Sequence, residues 1–100
     1  MTAARLHRAF EIFQEFGPER AKPIQERWKA VFADATPEEM RRWEALFREV
    51  EAYAYGVAEH VLGRRTNERG AAAAIARQFP QLSQENVDRA LSQALYFASK

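Results

Sequence analysis

The stretch that decides the fold is TPEEMRRWEALFREVEAYAYGVAEHVL, which runs from Thr36 to Leu62. Its apolar residues recur every three or four positions, and this spacing is typical of an α-helix. On a helical wheel they cover an arc of roughly 140°, which favours a globular core over a coiled-coil strand. The residues of this arc are Met40, Trp43, Leu46, Phe47, Val50, Tyr53, Ala54, Val57 and Val61. We therefore expect a long central helix against which the others pack.

The start of this stretch carries the signals of a helix N-terminus. Thr36 is the predicted N-cap, Pro37 is placed at the first helical position, and Glu39 is predicted to close a capping box. The helix is predicted over about residues 36–62, a length of ~40 Å.

Helical spacing also precedes this stretch. A first helix is predicted from about Thr2 to Phe16, where Gly17-Pro18 ends it, and a second helix is predicted to carry Pro23 in its first turn. Their apolar positions are Leu6, Phe10, Phe13 and Phe16 in the first and Ile24, Trp28, Val31 and Phe32 in the second.

Two further helices are predicted after a loop over Gly63–Gly70. The helix Ala71–Phe79 begins with four alanines, which suggests a close approach to another helix, and Ser83 is the predicted N-cap of the last helix. The apolar positions of the last helix are Val87, Ala90, Leu91, Ala94, Leu95 and Ala98. No segment alternates as a β-strand does, so the sequence predicts a single all-α domain over residues 1–100. It is expected to be a small bundle of four to five helices.

A weak internal echo occurs at an offset of 47 residues. The pattern Phe32-x3-Thr36-x-Glu38-x-Met40-x-Arg42 aligns with Phe79-x3-Ser83-x-Glu85-x-Val87-x-Arg89. Both describe a helix that ends in Phe, a tight connection and a capped helix. Chance with shared capping chemistry explains the echo at least as well as an internal duplication.

Composition limits the classes of function. The chain has no cysteine, which excludes thiol catalysis and cysteine-ligated zinc and fits a reducing compartment. Its longest apolar run, Ala71–Ala76, is too short for a membrane span, so we expect a soluble cytoplasmic protein. His7 and His60 have no metal-ligand spacing, and there is no glycine-rich phosphate loop or nucleophile elbow. We therefore expect no enzymatic activity and no cofactor.

The C-terminal stretch Ile75–Leu91 resembles the helix-turn-helix unit of DNA-binding regulators. The matching residues are Ile75, Ala76, Ser83, Val87, Arg89 and Leu91. It is also similar to the tail of a small bacterial family of antitoxin-associated domains, through Pro80, Leu82, Ser83, Val87, Ala90 and Leu91. The likeness covers about a fifth of the chain and implies a second helix that contacts DNA. The turn departs from the regulators in having Pro80 and one more residue, and the family's glycine-rich stretch is absent upstream.

Two interpretations of this stretch follow. Gln84, Asn86 and Arg89 on an exposed helix start are able to read base edges, and Arg64, Arg65 and Arg69 on the preceding loop are able to bind phosphate. Alternatively, Ser83 only caps a helix, Glu85 and Asp88 favour its dipole and repel DNA, and the loop arginines pair with nearby glutamates. The same six residues are then candidate contacts to a protein partner.

The mild charge asymmetry favours the second interpretation. Residues 36–62 carry three arginines against six glutamates, and residues 63–100 carry six basic against three acidic residues. This is weaker than the basic stripe of a dedicated nucleic-acid binder. We therefore expect a non-enzymatic protein-interaction or regulatory module, with a nucleic-acid-binding regulator as the alternative. The partner is expected to include a second copy of the chain, contacting through the central or the C-terminal helix.

Overall fold

A computed structural model describes residues 3–15 and 21–100, and within them the chain forms five α-helices and no β-strand. The helices are α1 (Ala3–Phe13), α2 (Ile24–Val31), α3 (Pro37–Leu62), α4 (Glu68–Gln78) and α5 (Gln84–Ala98). The predicted all-α class and the long third helix are therefore confirmed. Of the residues predicted to bound the first helix, Thr2, Phe16, Gly17 and Pro18 lie outside the described residues.

The chain divides into two compact units, which we call the N-terminal unit (residues 1–47) and the C-terminal unit (residues 48–100). α3 runs without a break through residue 47, so each unit contains one half of it. The single domain expected over residues 1–100 stays a prediction.

The core of the N-terminal unit is built from aromatic rings. Trp28 is completely buried, and its indole N–H donates a hydrogen bond of 2.9 Å to the Ala9 carbonyl, which joins α2 to α1. The Trp28 ring meets the edge of the Trp43 ring at 5.2 Å, and Phe10 stacks on Phe47 at 4.7 Å. Such pairs add to the free energy that area burial already provides. The first half of α3 is thus the surface on which α1 and α2 pack.

Two expectations for α2 were wrong. Val31, predicted on its apolar face, is 48% exposed, because α2 is only eight residues long and ends at Val31. Pro23 is the N-cap residue and lies just before the first turn. Arg27 on the same helix is buried, and its guanidinium donates a hydrogen bond to the carbonyl of Ile12 in the last turn of α1. The Ile12 carbonyl also accepts from the Glu15 N–H at 3.2 Å, and a cation beside it opposes the negative end of the helix dipole.

Arg5 joins α1 to the start of α3. Its Nε and Nη2 donate to the two carboxylate oxygens of Glu39 at 3.0 and 2.8 Å, and Nη1 lies 3.2 Å from an oxygen of Asp34. The guanidinium also lies over the rings of Phe32 and Trp43, at 4.8 and 5.5 Å from their centroids. The hydrogen bonds from Arg5 lower the pKa of Glu39 below its ordinary value. Thr36 caps α3 by accepting from the Glu39 N–H at 3.0 Å, while the Glu39 carboxylate, expected in a capping box, accepts from Arg5.

This ion pair predicts a dependence of stability on pH. Because the pKa of Glu39 is lower in the folded than in the unfolded state, its contribution is complete above the ordinary value of 4.5 and is lost as pH falls through the folded value. Glu39→Gln should lower the melting temperature at pH 7, and the difference from the wild type should shrink as pH falls below about 4.5. Thermal melts between pH 7 and pH 3 measure this. Glu38→Gln on the exposed side of α3 is the control, and a constant difference for Glu39→Gln across the range would contradict the assignment.

The buried aromatic core gives a second prediction. Trp43 is 1% exposed and contacts the rings of both Trp28 and Phe32. Trp43→Ala should therefore reduce the free energy of unfolding by ~3–5 kcal/mol, as truncation of a buried aromatic residue does. Chemical denaturation measures the loss. Tyr55→Ala, at an exposed aromatic residue of the same helix, should cost far less, and equal losses for the two variants would contradict this account of the core.

The core of the C-terminal unit is made mostly of small and aliphatic residues. Its buried apolar residues are Val50, Ala54, Ala58, Ala71, Ile75, Phe79, Val87, Ala90, Leu91 and Ala94. Tyr53 meets the edge of the Phe79 ring at 5.7 Å and so joins α3 to the end of α4. Of the four alanines predicted to approach another helix, only Ala71 is buried.

The predicted start of the fourth helix was wrong by three residues. Asn67 is its N-cap, and the Asn67 side chain accepts a hydrogen bond of 2.8 Å from the Gly70 N–H. α4 therefore begins at Glu68, and Gly70, expected to bound a loop, lies within the first helical turn. The loop is shortened to residues 63–67, where Arg64 adopts a positive φ of 60°.

The internal echo is matched by local structure. Phe32 and Phe79 are both C-cap residues, and their N–H groups donate to the carbonyls of Trp28 and Ile75, each four residues earlier, at 2.7 and 2.9 Å. Three residues after each Phe, an N–H donates to the Phe carbonyl, at 3.0 Å in the first copy and 3.1 Å in the second. The two connections thus form the same hydrogen bonds at an offset of 47 residues.

Candidate functional site

The start of α5 was the first candidate for a site. Ser83 caps the helix as predicted, since its hydroxyl accepts from the Asn86 N–H at 3.1 Å. Asn86 was expected on an exposed surface with Gln84 and Arg89, and this was wrong, because Asn86 is only 1% exposed. Its side-chain Oδ1 is buried and accepts no hydrogen bond within the described part of the chain. Asn86 therefore belongs to the interior of the protein.

The cap gives a prediction on stability. Ser83→Ala removes the oxygen that accepts from the Asn86 N–H and should lower the free energy of unfolding by ~0.5–2 kcal/mol. Thr36→Ala, which removes the same bond at the start of α3, should have a similar effect. Denaturant titration measures both. Ser83→Asp keeps an acceptor and is the control, so an equal loss for Ser83→Asp would show that the hydroxyl stabilises the protein in another way.

A groove of about 650 Å³ runs along the surface between α4 and α5. Its apolar lining residues are Ala72, Ala73, Ala76, Leu91 and Leu95. Its polar lining residues are Glu68, Arg69, Gln84, Asp88 and Ser92. All ten belong to the C-terminal unit. Concave surfaces with an apolar lining and a few polar groups are the usual form of a binding site.

The helical period explains how the sequence forms this groove. On α4, Arg69, Ala72, Ala73 and Ala76 follow the spacing i, i+3, i+4, i+7, which places them on one face. On α5, Asp88, Leu91, Ser92 and Leu95 follow the same spacing, and Gln84 lies one turn before Asp88. The turn between the helices sets these two faces side by side. Because Ala72, Ala73 and Ala76 have small side chains, the space between the helices stays open.

The charges of the groove are mixed. Glu68 and Arg69 lie in the first turn of α4, and Asp88 lies one turn into α5. Gln84 donates a hydrogen bond of 2.9 Å to Asp88 Oδ1, and Arg69 makes no ion pair among the described residues. The groove thus presents one cation and two carboxylates.

The structure separates the six predicted contact residues. Only Arg69 and Gln84 line the groove. Arg64 and Arg65 are exposed on the loop before α4, and Arg89 is exposed on α5 outside the groove lining. Sequence reasoning missed the alanines and leucines of the lining, because residues of these types at helical spacing are equally typical of a buried core.

The N-terminal unit provides an internal comparison for these residues. At the offset of 47, four of the apolar lining residues of the groove correspond to Gln25, Glu26, Lys29 and Glu44 of that unit, and Leu95 corresponds to Arg48, the first residue of the C-terminal unit. Each of these is polar or charged, and Gln25 Nε2 donates to Glu44 Oε1 at 2.9 Å, which links α2 to α3. The C-terminal unit has Ala72 and Leu91 at the positions of that pair. Polar side chains therefore bridge this surface in the N-terminal unit, whereas the equivalent surface of the C-terminal unit is apolar.

No family model, characterised protein or solved structure matches this chain. Among the described residues, every helix is too short or too polar to cross a lipid bilayer.

Proposed function

We propose that the protein is a non-enzymatic interaction module that binds an amphipathic helix of a protein in the groove between α4 and α5. The observation that carries this proposal is the apolar lining at positions where the N-terminal unit has polar side chains. Leu91 also belongs to the buried core, whereas the three alanines and Leu95 are partly or largely exposed, and a solvated helix face has no need of these four apolar side chains. The absence of cysteine favours a reducing compartment such as the cytoplasm for this module.

The shape of the groove suits a helix. Ala72, Ala73 and Ala76 are small, so a partner helix is able to approach α4 closely and place large apolar side chains beside Leu91 and Leu95. The polar residues at the rim provide hydrogen bonds and set the register of the partner. Burial of a few apolar side chains there contributes about 25 cal/mol for each Å² removed from water.

The charges of the groove favour a protein over the nucleic-acid alternative. A helix that enters the major groove of DNA needs cations near the phosphates. Glu68 and Asp88 on this surface are negatively charged and repel the phosphates. Burial of Asn86 also removes one of three base-reading candidates. In the nucleic-acid alternative, the remaining candidate contacts to DNA are Arg64, Arg65 and Arg89. A salt titration of binding to random duplex DNA tests this alternative.

The proposal predicts the effect of blocking the groove. Helical peptides selected from a displayed library against the wild-type protein should lose at least about tenfold in affinity for Ala73→Arg, because a long charged side chain then replaces a small one in the groove lining. Fluorescence anisotropy measures the binding. Ala52→Arg, at an exposed alanine of α3, is the control and should bind as the wild type does.

Two results would overturn the proposal. One is a set of selected peptides whose binding is the same for Ala73→Arg and the wild type. The other is sub-micromolar binding of duplex DNA at ~150 mM salt that is lost on Arg89→Ala, since non-specific charge attraction gives weaker binding.

A further inference from the structure

We propose that Arg64, Arg65 and Arg69, which we call the arginine cluster, bind a small molecule that carries two adjacent phosphate groups. The cluster lies on the loop between α3 and α4 and in the first turn of α4. It is distinct from the proposed helix-binding groove, whose lining includes only Arg69 of the three. Three features support the assignment: the unpaired charges, their spacing along the chain and the backbone of Arg64.

The charges of the arginine cluster are not neutralised within the protein. All three residues are exposed, and none forms an ion pair with a described residue, so the expected pairing with nearby glutamates was wrong for this part of the chain. By contrast, Arg42 on the exposed side of α3 pairs with Glu38 at 3.2 Å. Residues 63–69 contain these three cations and one carboxylate, that of Glu68. The segment therefore presents a net positive charge to solvent.

The spacing of the arginine cluster suits one compact anion. Arg64 and Arg69 are five residues apart, so their backbones are separated by at most about 18 Å, and two long side chains are able to close such a gap. Each guanidinium donates parallel hydrogen bonds to the oxygens of a phosphate group. Three guanidiniums match the charge and the oxygens of two adjacent phosphates. A nucleic acid instead requires cations along a longer surface, so we favour the small molecule.

The backbone of Arg64 gives an independent reason to assign a function to its side chain. Its N–H donates to the Val61 carbonyl at 3.0 Å, and the Arg65 N–H donates to the His60 carbonyl at 2.9 Å. This pair of hydrogen bonds commonly closes a helix C-terminus around a glycine in the left-handed conformation. Here the left-handed residue is Arg64, with a φ of 60°, and it is the one non-glycine residue with a positive φ in the described part of the chain.

Arginine at position 64 is less stable than glycine would be, because its Cβ is crowded in the left-handed conformation. Gly63 directly precedes it and lies outside that conformation, so the glycine of this turn does not relieve the crowding. Backbone strain that no local rule explains is concentrated at functional sites. The Arg64 guanidinium therefore provides something that glycine lacks, and the unpaired charges beside it indicate that this is anion binding.

Arg64→Gly separates binding from stability. The variant should have a higher melting temperature than the wild type, because glycine adopts the left-handed conformation without strain. It should bind inorganic pyrophosphate at least about tenfold more weakly, because the hydrogen bonds from one guanidinium are lost. Thermal denaturation measures the first effect, and isothermal titration calorimetry at low salt measures the second. A residue with a structural role alone would not change the two quantities in opposite senses.

Two variants are the controls. Arg65→Gly makes the same substitution at a residue whose φ is not positive, so it should weaken pyrophosphate binding and lower the melting temperature. Arg77→Gln removes an exposed charge in the last turn of α4 and should bind pyrophosphate nearly as the wild type does. Monophosphate should bind the wild type more weakly than pyrophosphate, since it engages fewer of the arginines.

Several results would overturn this inference. One is wild-type protein that fails to bind pyrophosphate at millimolar concentration. Others are an Arg64→Gly variant that binds as the wild type does or melts below it, and an Arg77→Gln variant that loses as much affinity as Arg64→Gly. Displacement of pyrophosphate by duplex DNA at an equal phosphate concentration would assign the cluster to nucleic acid instead. Helical peptides selected for the groove should bind Arg64→Gly and the wild type equally, so the two proposals fail separately.

Discussion

The structure depends on the single helix α3, which supplies buried side chains to two cores. Its buried positions recur at helical spacing from Met40 to Ala58. Trp43 and Phe47 in the first half form part of an aromatic core, whereas Ala54 and Ala58 in the second half contribute to a core of small residues. One helix is able to do this because its apolar arc is wide and unbroken. The two units therefore differ in the size of the side chains that fill them.

Most of the fold was readable from the sequence because it depends on local rules. The helical period predicts α3, and Thr36 and Ser83 predict the starts of two helices through a single backbone hydrogen bond each. The predictions were wrong at residues whose burial depends on tertiary packing. Asn86 has a polar side chain, which usually lies on the surface, but it is buried. Val31 has an apolar side chain, which usually lies in the core, but it is exposed.

The candidate site was harder to predict, since none of its apolar residues carries chemistry. Alanine and leucine at helical spacing describe a buried face and an open groove equally well, and only the positions of α4 and α5 distinguish the two. Arg69 and Gln84 were predicted as contacts from their polarity, and both line the groove. Arg64 and Arg65 were predicted by the same reasoning and lie on the loop outside it.

The two units show how one local design is able to serve different surfaces. The connections after Phe32 and Phe79 form the same backbone hydrogen bonds, so the turn and the cap are fixed by a few residues in each unit. The side chains on the outer faces of the flanking helices take no part in those bonds and are free to differ. In the N-terminal unit, Gln25 and Glu44 bridge that face. In the C-terminal unit, the equivalent face is apolar and open, and it is this difference between equivalent positions, rather than any one residue, that indicates a surface built for a partner.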